Sequence, residues 1–274
     1  MSEAPQAADA SSGPPTEEGT VTLELRGAVG LITLNRPQAR NAMTLEMYGQ
    51  LKDIAAAIPP DGDFKAVIVT GAGEKAFAAG TDISKFRDFT APQHALDYER
   101  FMDEVLNTLE AVPVPTIAAI SGACTGGGAA IAACCDLRLA TRRMRFGFPI
   151  ARTLGNCLSM NNLARLSDLM GPARVKEMLF TSRLIEADEA LAIGLISELC
   201  DDYEALMIEV FRLADVLCQH APLTLRATKE GLRRLRQTSD GADHDLISMC
   251  YGSNDFKEGL EAFLAKRPAK WTGR

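Results

Sequence analysis

The chain reads as an α/β protein with a helical C-terminal region. Short apolar β-type runs alternate with helical stretches as far as Ala140. Three consecutive glycines, Gly126–Gly128, separate a buried strand from an apolar helix. Beyond Asn156 helical periodicity dominates. Alternation of strand and helix favours a largely parallel sheet.

Residues 1–18 are Ala-, Ser-, Pro- and acid-rich with almost nothing to bury, which predicts a disordered tail. Val21–Arg26 and Gly30–Asn35 flank the Gly27-Ala28 turn and predict a hairpin. Thr44 is placed to cap a helix running to about Ala57, with Leu45, Tyr48, Leu51, Ile54 and Ala55 on one face. Ala66–Thr70 predicts a buried strand, and residues 93–109 a helix that ends before Pro113. Pro115–Ile120 is the strand before the glycines, and Asp136–Ala140 is a further strand. Helices then follow over about 158–169, 173–180, 186–192, 203–219, 223–236, 244–251 and 255–266, with one strand at Leu195–Leu199. The expected division is a core over 19–200 and a helical oligomerisation region over 201–274.

Bulk properties exclude several functions. A net charge of -7 argues against general nucleic-acid binding, and the basic face of 225–236 is too short to reverse that. No apolar run reaches membrane-spanning length, and no signal-peptide pattern opens the chain. The seven cysteines include no CxxC pair, which fits reduced thiols in a cytoplasmic protein. The three histidines form no metal motif, and His94, at a helix start, reads as a surface cap rather than a base. There is no GxGxxG after the first strand and no Walker pattern.

The segment Ser121–Ala130 is the most informative. A glycine turn between strand and helix aims free backbone N–H groups, together with the positive end of the helix, at one point. Such a point suits a phosphate or a developing oxyanion. A second glycine turn, Phe77–Asp82, is placed to supply a matching N–H.

In its ordered motifs the chain resembles the crotonase, or enoyl-CoA hydratase/isomerase, superfamily. The matching segments are Leu34–Pro37 with Ala39–Ala42, Ala76–Ile83, Pro115–Gly122, Gly126–Gly128, Cys135–Arg138, Phe146-Gly147, Ala187–Ala190 with Ala192–Ile196, and a terminal stretch over 256–267. The resemblance implies a spiral of ββα units, a homotrimer or hexamer, and an acyl-CoA thioester substrate. Coenzyme A is then part of the substrate, with no tightly bound cofactor, no metal, no nucleic acid and no membrane partner. It implies that the N–H groups of Thr81 and Gly127 hold the thioester carbonyl, so that side-chain identity at 81 matters little. Ala79, Thr81, Asp82, Ile83 and Ser84 match positions along the coenzyme, and Arg40, Phe263 and Lys266 match positions near its nucleotide. Core packing for Phe263 and solvated charge for Arg40 and Lys266 are equally compatible with the sequence.

Hydratases of this family carry a glutamate two residues after the triple glycine and another after Phe-Gly-x-Pro. Ala130 and Ile150 stand at those positions. Water addition needs two groups to position the nucleophile and supply a proton, and neither side chain can do so. Cys157 and Asp103 are the candidate substitutes, and Arg152 is expected in the pocket lining, binding a substrate carboxylate or pairing with Asp103. The functional expectation is an acyl- or enoyl-CoA transforming enzyme acting through a thioester enolate. The alternative is a non-catalytic acyl-CoA binder on the same scaffold. A serine peptidase is disfavoured because no Ser-His-Asp set sits at matching positions.

Overall fold

The structure, a computed structural model, describes residues 18–82, 92–237, 253–255, 258, 262, 265 and 267–274. In chain order its elements are β1 (Thr20–Arg26), β2 (Val29–Asn35), α1 (Leu45–Ala56), β3 (Ala66–Gly71), β4 (Ala76–Ala78) and α2 (Pro92–Glu110). They continue with β5 (Thr116–Ile120), β6 (Ala123–Thr125), α3 (Gly127–Cys134), β7 (Leu137–Thr141), β8 (Arg145–Gly147) and α4 (Ile150–Thr153). The last are α5 (Met160–Met170), α6 (Pro172–Thr181), β9 (Ile185–Glu186), α7 (Ala187–Ala192), β10 (Glu198–Cys200), α8 (Tyr203–Cys218) and α9 (Pro222–Gln237).

The strands form a six-stranded sheet in the order β1-β2-β3-β5-β7-β10 and a four-stranded sheet in the order β4-β6-β8-β9. Each sheet is parallel apart from one edge pairing, β1 with β2 and β8 with β9. The second sheet is where the chain departs from the sequence reading. The stretch read as a single glycine turn contains β6; in the first sheet, too, there is a difference, since β10 begins at Glu198 rather than Leu195.

Alternation along the six-stranded sheet sorts residues onto two buried faces. Ile32, Leu34, Val67, Val69, Ala118 and Ile120 face the main core, with α1, α2 and α3. Val29, Leu31, Ala66, Ile68, Ile117 and Ala119 face α8, which presents Leu206, Val210 and Ala214 at four-residue spacing. Burial on both faces is why β3 and β5 read as unbroken apolar runs. The same contacts place α8 on the sheet of its own chain.

Local signals account for the helices near the site. Thr44 caps α1, its Oγ1 accepting the Met47 N–H at 3.2 Å. Met47 rather than Leu45 completes the buried face of α1. Ser159 caps α5 in the same way, through the Asn162 N–H at 3.3 Å. Helix α3 is buried from Gly128 to Cys134, as its apolar sequence requires. Buried Arg138 closes its C-terminal end, donating to the carbonyls of Cys135 at 2.6 Å and Leu195 at 2.7 Å. A guanidinium there satisfies orphan carbonyls and complements the helix dipole.

Candidate active site

Strands β4 and β6 are parallel neighbours, with Ala76 opposite Ala123 and Ala78 opposite Cys124. Two parallel strands that end side by side release their following turns side by side. The turn after β4 is Ala79–Asp82, and the turn after β6 is Gly126-Gly127. A Cβ on Gly126 would sit 3.5 Å from the Gly80 Cα, and one on Gly80 would sit 3.6 Å from the Thr125 carbonyl oxygen. The two bends lie side by side, with room between them for no more than an added methyl group.

The first bend is held by the motif that precedes α1. Buried Asn41 donates to the carbonyls of Ala72 and Ala76 at 3.0 and 2.8 Å and accepts from the Arg36 N–H at 3.0 Å. Around it the Ala79 N–H donates to the Arg40 carbonyl, Met43 N–H to the Gly80 carbonyl and Asp82 N–H to the Met43 carbonyl, all within 3.0 Å. Residues 80 and 82 therefore take the bridge to Met43, and the Thr81 N–H has no acceptor among the described residues.

Each glycine of the second bend has its own cause. Gly126 adopts φ 52° and ψ -120°, a region closed to side-chain-bearing residues. A Cβ on Gly127 would lie 1.8 Å from the Tyr48 hydroxyl, and one on Gly128 would lie 2.2 Å from the Ala78 carbonyl oxygen. Gly127 is the first residue of α3, so its N–H is one of the orphan donors of a helix start. No described residue accepts it.

Thr81 and Gly127 border a cavity of about 260 Å³. Its walls come from the two bends, from Tyr98, Glu99 and Met102 of α2, and from Phe148–Ile150 and the stretch around 153–158. Ala130 and Ile150 both lie on this surface, so methyl and sec-butyl groups occupy the places where the resemblance puts carboxylates. Ala79 and Cys157 also line it.

The Thr81 side chain is more constrained than expected. Its Oγ1 is 2.8 Å from the hydroxyl of fully buried Tyr48 and accepts from the Tyr98 hydroxyl at 3.5 Å. Side-chain identity at 81 therefore matters, because Thr81 is the hydrogen-bond partner of a phenol sealed from water. Replacing Thr81 with valine keeps the shape and orphans that phenol. A stability loss of about 1–3 kcal/mol is expected by urea denaturation, and a Tyr48→Phe background should remove most of it.

The other sequence-derived candidates fall into distinct places. Asp103 does not line the cavity: its two carboxylate oxygens accept from Ser159 Oγ at 2.7 Å and Asn161 Nδ2 at 2.8 Å, which pins the start of α5 to α2. Arg152 is exposed on α4, away from the cavity lining, and the hydrogen-bonding partners of Asp103 are Ser159 and Asn161. Cys157 is an exposed free thiol that precedes the Ser159 cap, so it lies outside the first turn of α5. Arg40 is exposed beside the first bend, and Asp82 pairs with Arg36 at 2.8 Å. His94 is exposed in the first turn of α2. Ile83, Ser84, Phe263, Lys266 and residues 1–17 of the expected tail lie outside the described residues, as does most of 238–266.

Glu99 is the cavity residue that the sequence reading missed. It is partly buried, and burial followed by the negative charge of Asp103 one turn along α2 holds its carboxyl above the usual carboxylate range. Burial likewise raises the Tyr98 phenol. Among the described residues no helix is long and apolar enough to cross a membrane.

Residues 24–274 match the enoyl-CoA hydratase/isomerase family. The chain is 33% identical over 258 residues to a crotonyl-CoA hydratase of Syntrophomonas wolfei, covering 93% of this chain and 98% of that protein. It is 34% identical over 255 residues to a short-chain-enoyl-CoA hydratase of Clostridium acetobutylicum, covering 92% and 97%. Among solved structures, an enoyl-CoA hydratase/carnithine racemase from Magnetospirillum magneticum superposes with a TM-score of 0.85 at 36% identity, over 93% of this chain and 96% of that one.

Proposed function

The chain belongs to the enoyl-CoA hydratase/isomerase family, and we propose that it transforms acyl-CoA thioesters through an enolate whose oxygen accepts the N–H groups of Thr81 and Gly127. The observation that carries this reading is that the two bends lie side by side, each offering a backbone N–H without a described acceptor. Fixed amide dipoles stabilise an oxyanion with little reorganisation, and the positive end of α3 adds to them. The dipoles are main-chain groups held by Asn41, Arg138 and the packing of three glycines, so they are in place before the ligand arrives. In this reading coenzyme A belongs to the substrate, and enolate formation needs no separate cofactor.

The reaction differs from water addition by a carboxylate pair. Ala130 and Ile150 can neither orient water nor carry a proton. The expected result is binding of butyryl-CoA by isothermal titration, exchange of its α-hydrogens with deuterium in D₂O by NMR, and slow loss of crotonyl-CoA absorbance. Absence of acyl-CoA binding would overturn the proposal. The same two apolar residues favour one rival, a non-catalytic acyl-CoA binder, which predicts tight binding with no α-exchange.

A further inference from the structure

We propose that Glu99 is the proton-transfer group of this site, taking and returning the proton at the α-carbon of the bound acyl thioester. The inference rests on the reading above, that the amides of Thr81 and Gly127 hold the thioester oxygen. Among the described residues the ionisable side chains on the cavity wall are Tyr98, Glu99 and Cys157. The Tyr98 hydroxyl donates to Thr81, and burial makes its phenol still harder to ionise. Cys157 is exposed and lies outside the first turn of the neighbouring helix. The Glu99 carboxylate accepts no hydrogen bond from a described donor, whereas Asp103, one turn along the same helix, is fully engaged by Ser159 and Asn161. A carboxylate without a described hydrogen-bond donor, on the wall of the cavity that two amides without described acceptors also border, is the arrangement that enolate formation requires.

The step balances without a co-reactant. A Glu99 oxygen takes the proton from the α-carbon, and the C–H electron pair becomes the enolate C=C bond. The carbonyl π pair moves onto the oxygen facing the two amides. Reversal returns a proton, or a deuteron after the carboxyl exchanges with solvent. One carboxylate suffices for this exchange, in contrast to hydration. Among the described residues, the ionisable groups placed with Glu99 are Tyr98 and Cys157 of the cavity wall and Asp103 one turn along its own helix. The nearest charge effect comes from Asp103, which favours the protonated form of Glu99.

The test is α-deuterium exchange into butyryl-CoA by NMR, with affinity measured in parallel by titration. Glu99→Gln should bind butyryl-CoA like the wild type and exchange about 10²–10⁴-fold more slowly, and Glu99→Asp should fall between. The wild-type exchange rate should rise with pH through an inflection above the ordinary carboxylate range, and Glu99→Gln should lack that inflection. Wild-type exchange retained in Glu99→Gln, with the same inflection, would overturn the assignment and leave the enolate reading intact. Binding by the wild type without exchange would overturn both the assignment and the enolate. Loss of binding in the wild type would remove the acyl-CoA reading itself.

Discussion

Replacing Gly127 with alanine is expected to reduce α-exchange by about 10²–10³-fold, the usual effect of losing one oxyanion donor. It should also lower stability by about 1–3 kcal/mol, as overpacking does. The new Cβ would meet the Tyr48 hydroxyl at 1.8 Å, Thr81 Oγ1 at 2.8 Å and Tyr48 Cζ at 3.1 Å. Tyr48 is fully buried among core residues, so its ring has no free direction in which to retreat. The first turn of α3 must move instead, and with it the Gly127 amide. Tyr48→Phe removes the closest atom but not the other two, so the double variant should recover stability only in part. Gly49→Ala is the control: it lies in α1, nothing lies within 4 Å of its added Cβ, and a gain of up to about 1 kcal/mol is expected. Denaturant unfolding and the exchange assay, run on all four variants, check these outcomes together.

The second large effect is structural. Glu110→Ala should destabilise the protein by about 3–5 kcal/mol by urea unfolding, because it strands a buried guanidinium. Arg165 is 2% exposed and donates to Glu110 from Nη2 at 3.0 Å and Nε at 3.2 Å, and to Asn107 Oδ1 at 2.5 Å. Arg236 of α9 donates to both oxygens of the same carboxylate. Glu110 therefore joins α2, α5 and α9, and two of these helices border the cavity. Burial alone would raise its pKa, but hydrogen bonds from Arg236 and Arg165 outweigh it and hold the carboxyl below its ordinary value. A carboxyl depressed in the folded state stabilises the fold above its unfolded pKa. That contribution fades as the pH falls from the ordinary carboxylate range through the folded value. Wild-type stability should thus decline below about pH 4–5, and Glu110→Gln should show a flatter acid limb from a lower plateau.

These residues also show how far the chain was legible before its structure. Strands buried on both faces announced themselves as apolar runs, and Thr44 announced the start of α1. Strands β6 and β8 carry three residues each and β9 two, too few for any period to emerge, so the second sheet was invisible. Both bends of the site were readable because glycine marks sharp turns and close approach. Their placement side by side followed only from the pairing of β4 with β6. Helix α2 was readable, but which turn of it faces the cavity is a tertiary property. Sequence pointed to Asp103, while the fold turned Glu99 inward and gave Asp103 to the cap of α5. The importance of the Thr81 hydroxyl was equally hidden, since its partner lies 33 residues away in Tyr48.

The most direct measurement is the infrared carbonyl stretch of butyryl-CoA labelled with ¹³C at the thioester carbon, free and bound. Two amides donating to that oxygen polarise the C=O bond, so its frequency should fall on binding to the wild type and fall much less in Gly127→Ala. A bound carbonyl with the frequency it has in water, or a shift that Gly127→Ala leaves intact, would contradict the convergence of the Thr81 and Gly127 amides on one thioester oxygen.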